Sequence, residues 1–288
     1  MTTLRKNAVV ALSTLAAMAL ASTSISAATL AEIQESGTIR IAVANEIPYG
    51  YVDPNGTALG AGPDVAKAIM AELGVDNIEW VTTNFSSLIP GLRADRFDMV
   101  AAEMAILPDR CQQVLFSEPN SSYGEGLLVA AGNPKGIHAY SDFADNPELR
   151  VAIMAGADQL EMMQKLGVPE ASLVTIAANA DAISTVSTGR ADAYAATSLT
   201  ASGLADQNDG VEVAGEFTDP VIDGEEVRSW GGFTFASGNE ELRDAVNGAL
   251  AEFKQTAEWS ETLMGYGFTQ ADVDGSAART TAELCAAD

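Results

Sequence analysis

Arg110 stands where a small-residue run, DMVAAEMAILPDR, gives way to a short apolar strand, Val114 to Phe116. That strand ends in a Ser/Asn/Gly-rich turn, Asn120 to Gly126. A guanidinium presents a fixed fork of donors that matches a carboxylate, and it stays charged at any relevant pH. The chemistry this favours is the clamping of an anionic head group, with the following turn as a hinge. The alternative is an ordinary solvated arginine.

The elements around Arg110 alternate strand and helix. Thr38 to Ala44 reads as a strand. Gly62 and Pro63 open a helix with an apolar stripe of Val65, Ala68, Ile69 and Leu73, closed by Gly74. Asn77 to Thr82 and Phe97 to Ala102 read as strands, with a short helix, Ser86 to Ala94, between them. A second series follows Gly126. Its strands are Leu127 to Ala131, Arg150 to Met154, Leu173 to Ile176 and Ala191 to Ala196. Its helices are Gln159 to Leu166, one opening near Asn179 with Ile183 and Val186 inward, and Ser198 to Asp206. Gly231 to Phe235 is an extended return, followed by a helix from Glu240 to Phe253. Strands separated by helices predict parallel sheets with right-handed crossovers. Ligands in such folds bind beyond the carboxyl ends of strands and between lobes. Three segments fit that place: Asn45 to Tyr51, Ala105 to Arg110, and Gly156 to Gln159.

Arg5 and Lys6, an apolar run from Ala8 to Ala21, and small residues at Ala27 and Ala28 form a secretory leader, residues 1–28. The run is short of the ~20 apolar residues that a spanning helix needs. Retention as an uncleaved anchor is the other reading. The chain carries 40 acidic and 15 basic residues, a net charge of −25. Such a chain repels nucleic acid and anionic lipid. A spread acidic surface also keeps proteins soluble at high salt. Two cysteines, Cys111 and Cys285, suit a disulfide in an exported protein, with two free thiols as the alternative. His138, the one histidine, lies far from both, so neither a metal cluster nor a Cys-His dyad is expected.

The pieces GTIRIAVANEIPYGY, GAGPDVAKAIMAELG, SLIPGLRADRFDMVAAEMAILPDRC and GRADAYAA resemble the family 3 solute-binding proteins of ABC importers, over nearly the whole chain beyond the leader. Within that family ANEIPYG, IPGLRADR, PDRC, GVPEASLV and the terminal LCAAD are most similar to the ectoine- and hydroxyectoine-binding branch. The resemblance implies an α/β type II periplasmic binding protein fold, two Rossmann-like lobes joined by a two-stranded hinge. Lobe 1 would hold residues 29–121 and 231–288, and lobe 2 residues 122–230. The hinges would fall near Asn120 to Gly126 and Val227 to Gly232.

By the same resemblance, the carboxylate-binding arginine falls on Arg110, two aromatic cage members on Tyr49 and Phe85, and an adjacent acid on Glu46. Ring faces attract a delocalised amidinium by about 0.5–2 kcal/mol each. Second-lobe contacts fall on Asp158 and Gln159, at a helix start. The chain departs from the pattern at Ala105, where a third ring is missing, with Trp230 as its candidate replacement. It departs again at Thr197, where amino-acid binders place an aspartate for the ammonium. Glu103, at a position usually small, is either a further cation partner or a solvated acid.

The implied function is a periplasmic receptor, monomeric and without cofactor or metal. It captures a small zwitterion such as ectoine or hydroxyectoine and delivers it to membrane permease subunits. A polar amino acid is the alternative ligand. A dehydratase-like enzyme with Glu46 or Glu103 as general acid/base, or the sensory domain of a signalling receptor, are the alternatives of another class.

Overall fold

The computed structural model describes residues 28–286. The expected leader lies almost entirely outside the described residues.

Two mixed sheets, each flanked by helices, form two lobes. In the first sheet the strands run in the order Asn77–Thr82, Thr38–Val43, Met99–Ala105, Ser229–Ala236, Val114–Phe116. The first three are parallel. Ser229–Ala236 is antiparallel to Met99–Ala105, so the sheet is not all-parallel as the alternating pattern predicts. The reason is topological. This strand arrives directly from the other lobe rather than over a helical crossover, and nothing obliges it to run parallel. The second sheet has the order Leu173–Ile176, Val151–Met154, Ala193–Thr197, Glu125–Ala130, Val211–Val213. There Glu125–Ala130 is the antiparallel member, for the same reason.

The chain passes between the sheets twice. Ser121–Tyr123 carries it out and Ser229–Gly231 brings it back, and the two segments pair antiparallel, Ser121 opposite Gly231 and Tyr123 opposite Ser229.

The helix Ala61–Glu72 shows how local sequence sets the site. It starts two residues before Pro63, with Gly60 as its N-cap. A Cβ on Gly62 would sit 2.8 Å from the carbonyl oxygen of Ala101, so only glycine lets the helix lie this close to the Met99–Ala105 strand. Val65, Ala66, Ile69 and Met70 are buried, while Ala68 and Leu73 are half-buried. The helix ends on Gly74 in the left-handed region, φ +74°. The Gly74 N–H donates to Ala71 and the Val75 N–H to Met70. That pair of bonds satisfies the last carbonyls of the helix.

Each sheet is covered on both faces. Ile41, Met99, Phe233, Phe235 and Trp259 mark one side of the first sheet, and Leu88, Phe97, Val100 and Phe116 the other. The tail contributes three helices that the periodicity does not reveal: Ala257–Gly265, Gln270–Gly275 and Thr281–Ala286. Trp259, Leu263, Val273 and Leu284 bury them against the first lobe. Cys111 and Cys285 are joined by a disulfide that spans 174 residues of sequence. Among the described residues no helix is long and apolar enough to cross a membrane, and no cluster of His, Cys, Asp or Glu could hold a metal ion.

Candidate functional site

Between the lobes lies a cleft with a cavity volume of about 30 Å³. The lobes are therefore drawn together. Several side-chain hydrogen bonds cross the gap. Tyr49 Oη donates to Thr197 Oγ1 at 2.8 Å, Thr200 Oγ1 donates to Glu46 Oε1 at 3.1 Å, and Arg110 Nη2 donates to the Gly156 carbonyl at 3.0 Å.

The first-lobe wall is made by loops at the ends of strands. After Thr38–Val43 the chain turns at Asn45, φ +56°, and closes on itself with two backbone bonds between Glu46 and Gly50. That turn buries Glu46 and Tyr49 and faces both into the cleft. Tyr49 packs on Tyr123 with ring centroids 5.2 Å apart. Phe85, in the short 3₁₀ turn Phe85–Ser87, stands beside it in the wall. Burial raises the Glu46 carboxyl above its usual range, because a desolvated charge lacks compensation.

Arg110 closes the short helix Pro108–Cys111, directly before the disulfide cysteine. It stands at the edge of the cleft rather than in its wall. Its Nη1 donates to Ala105 O at 2.9 Å, and its guanidinium lies 5.5 Å from the Phe85 ring centre. Ala105 lines the cleft, and no ring occupies its place.

Glu103 belongs to the site and is not a solvated acid. It is buried, with φ +47°, and faces the cleft. Asn120 Nδ2 donates to its Oε1 at 2.6 Å and Ser121 Oγ to its Oε2 at 2.5 Å. Tyr123 Oη donates to its carbonyl at 2.8 Å. Burial raises its carboxyl too. One side chain thus ties the Met99–Ala105 strand to the outgoing crossover.

In the second lobe, Asp158 and Gln159 line the cleft at the start of the helix Gln159–Lys165. Thr197 lines it as well, capping the helix Ser198–Ala205 by accepting from the Thr200 N–H. Tyr123, Tyr194 and Met154 are among the lining residues that escape a reading of the sequence. Tyr194 Oη donates to Asn179 Oδ1. Tyr123 lies inside SSYGEG, where the small residues signal a turn and mask the ring. Behind the wall, Glu125 accepts from Gln159 Nε2 at 2.7 Å. Trp230 is not a wall residue. Its indole N–H donates to the Gly275 carbonyl at 2.9 Å, and Arg279 covers its face at 5.7 Å.

The chemistry of the cleft is therefore ring faces, carboxylates and one flanking guanidinium. Glu46, Glu103 and Asp158 line it with Tyr49, Phe85, Tyr123 and Tyr194. This suits a small solute with a poorly hydrated positive group.

The profile of the bacterial extracellular solute-binding proteins, family 3, matches residues 39–269. The chain belongs to this family. A probable amino-acid ABC transporter periplasmic-binding protein of Sinorhizobium fredii is 55% identical to it over 261 residues, 90% of this chain and 86% of that protein. The crystal structure of EhuB in complex with hydroxyectoine resembles it with a TM-score of 0.81 at 31% identity, covering 90% of this chain and 98% of that one. An ancestral amino acid-binding protein, a precursor of cyclohexadienyl dehydratase, gives a TM-score of 0.72 at 31% identity over 82% of this chain and 98% of its own. The curated relatives of this family 3 solute-binding protein are transporter binding proteins.

Proposed function

We propose that this solute-binding protein captures a small zwitterion with a delocalised cation, ectoine or hydroxyectoine first among them. It does so in the periplasm and delivers the solute to the permease subunits of an ABC importer. The observation that carries this reading is the pairing of ring faces and carboxylates in one interlobe cleft. Tyr49 and Phe85 sandwich the cation, and Tyr123 and Tyr194 supply aromatic surface that Ala105 lacks. Glu46 accepts from the amidinium N–H. Arg110 turns its fork to the carboxylate, exchanging the backbone carbonyls it now holds for a charged partner. The likeness to the hydroxyectoine-bound structure supports the choice of solute.

A second ligand reading, a cationic or polar amino acid, is favoured by the three carboxylates lining the cleft. Thr197 in place of a carboxylate weighs against it, since a hydroxyl holds an ammonium less firmly.

Isothermal titration with ectoine, hydroxyectoine, L-arginine and L-glutamine tests both readings. Ectoine or hydroxyectoine is expected to bind most tightly, and Arg110→Ala to abolish the signal. A heat from arginine or glutamine alone would replace the ligand and leave the receptor in place. Chromatography of the recovered solute should return it unchanged; a new product would instead identify an enzyme.

A further inference from the structure

Glu125 opens the first strand of the second lobe and is buried. Its hydrogen bonds do not balance for a carboxylate. Tyr140 Oη lies 3.0 Å from Glu125 Oε2, 3.2 Å from the Gly126 carbonyl and 3.1 Å from the Ala196 carbonyl. A phenol has one proton for those three acceptors. Glu125 Oε1 is buried and accepts no hydrogen bond from the protein. A bare carboxylate oxygen in that position is costly, whereas the carbonyl oxygen of a neutral acid is far less so.

A proton on Oε2 resolves the account. The acid O–H then donates to Tyr140 Oη, and the Tyr140 proton is free for a strand carbonyl. Oε2 still accepts from Gln159 Nε2. Gln159 is thereby held by its amide nitrogen, and its Oε1 is the end left for the cleft.

The charges around Glu125 work in the same direction. Asp158, at the start of the neighbouring helix, is the strongest like charge acting on it, and Asp219, whose Oδ1 accepts from the Glu125 N–H at 3.3 Å, is the next. Tyr140 and Tyr49 are the other titratable groups facing it. Among the described residues no Lys or Arg forms an ion pair with Glu125 or Asp158; Arg228, whose charge acts on Asp219, is paired with Asp272. Burial, followed by Asp158, lifts the Glu125 carboxyl to about 8.

We propose that Glu125 is the proton-bearing positioning residue of the cleft: as a neutral acid it holds Tyr140 and Gln159 in place, and a cation docking against Asp158 draws its proton out. The proton leaves from Oε2 to solvent, Tyr140 turns its own O–H to the carboxylate, and the new negative charge faces the bound cation through Gln159. This rests on the reading of the cleft as a receptor for a cation-bearing solute. Capture is then linked to proton release, and affinity rises with pH until Glu125 ionises in the empty protein.

The first test needs no ligand. Infrared spectra at pH 7 should show a protonated carboxyl band in the wild type that Glu125→Gln lacks and that disappears as pH is raised through about 8. In Tyr140→Phe, which removes the acceptor, the band should persist at a shifted frequency. The second test is titration calorimetry with ectoine, or with L-arginine if ectoine is silent, in two buffers of different protonation enthalpy. The wild type should release a fraction of a proton per ligand at pH 7, and its affinity should rise with pH by up to about tenfold per unit. Glu125→Gln should release none and show a flat profile. Identical infrared spectra of wild type and Glu125→Gln at pH 7 would overturn the proposal, as would buffer-independent heats in the wild type. Silence from both solutes together with the expected infrared difference would sink the ligand reading and uphold the neutral acid.

Discussion

Arg110 donates across the cleft to the carbonyl of Gly156, 3.0 Å away and 46 residues on in sequence. The group proposed to bind solute thus also fastens the lobes. A carboxylate entering the cleft competes with two neutral carbonyls for the fork, and charge favours the carboxylate. Bonds to charged groups are worth about 1.5–3 kcal/mol each. Arg110→Ala should therefore weaken solute binding at least ~100-fold, read by calorimetry. Arg110→Lys keeps the charge and loses the fork. It should fall between the two, and a lysine variant as tight as wild type would remove the bidentate role.

Gly231 offers a test of the paired crossover segments. A Cβ there would lie 2.8 Å from both the Glu103 carbonyl and Ser121 Oγ, and 2.9 Å from Glu103 Oε2. The Glu103 backbone cannot retreat without disturbing the strand it belongs to. Gly231→Ala should cost about 1–3 kcal/mol in urea denaturation and weaken binding as well. Gly215→Ala, with nothing within 4 Å of its Cβ, serves as the control and should change neither.

How much of the fold and of the site is legible in the sequence depends on the kind of signal. The Glu240–Phe253 helix follows from a stripe of Leu242, Val246, Ala249, Leu250 and Phe253 at helical spacing; its bounds agree, the first four are buried and Phe253 is half-buried. Glu46, Tyr49 and Phe85 were marked by the family resemblance, and they line one cleft together with Asp158, Gln159 and Thr197. Trp230 was misread because a ring beside a hinge has two faces to choose from, and the tail helix claims it through Gly275. Glu125 and Tyr140 were illegible. Their meaning lies in three acceptors converging on one hydroxyl from distant segments, and no local spacing encodes that. The tail helices were missed because each is one or two turns long, too short for a period to show.

The disulfide makes a third prediction. Cys285 anchors the helix Thr281–Ala286 to the short helix that presents Arg110. Closing so long a loop removes roughly 5 kcal/mol of unfolded-chain entropy in theory. For a protein of this size that corresponds to about 10 °C or more in melting temperature. Cys111→Ser/Cys285→Ser should melt lower by about that amount and bind solute more weakly than wild type, though less so than Arg110→Ala. An unchanged melting temperature would mean that the bonds from Thr281 to Ser117 and Glu118 hold the tail by themselves.

Glu103 makes the pH dependence of folding testable apart from solute. Its carboxyl is raised in the folded protein, chiefly by burial, against the opposing pull of its bonds from Ser121 and Asn120. A carboxyl whose value is higher folded than unfolded binds its proton more tightly in the folded state. Its contribution is full below the unfolded value, near 4.3, and is lost as pH rises through the folded one. Glu103→Gln cannot ionise. Its shape holds an acceptor for Asn120 or Ser121, but one of those donors loses its partner. The variant should therefore be the less stable protein in mild acid, with the gap narrowing as pH climbs and the wild type alone ionises at a cost. Urea midpoints for both proteins, taken from mild acid to mild base, read this difference. A gap that widens with pH would show that Ser121, Asn120 and the nearby Lys254 outweigh burial and that Glu103 works as a carboxylate. The cleft would then present one more fixed negative charge to its solute.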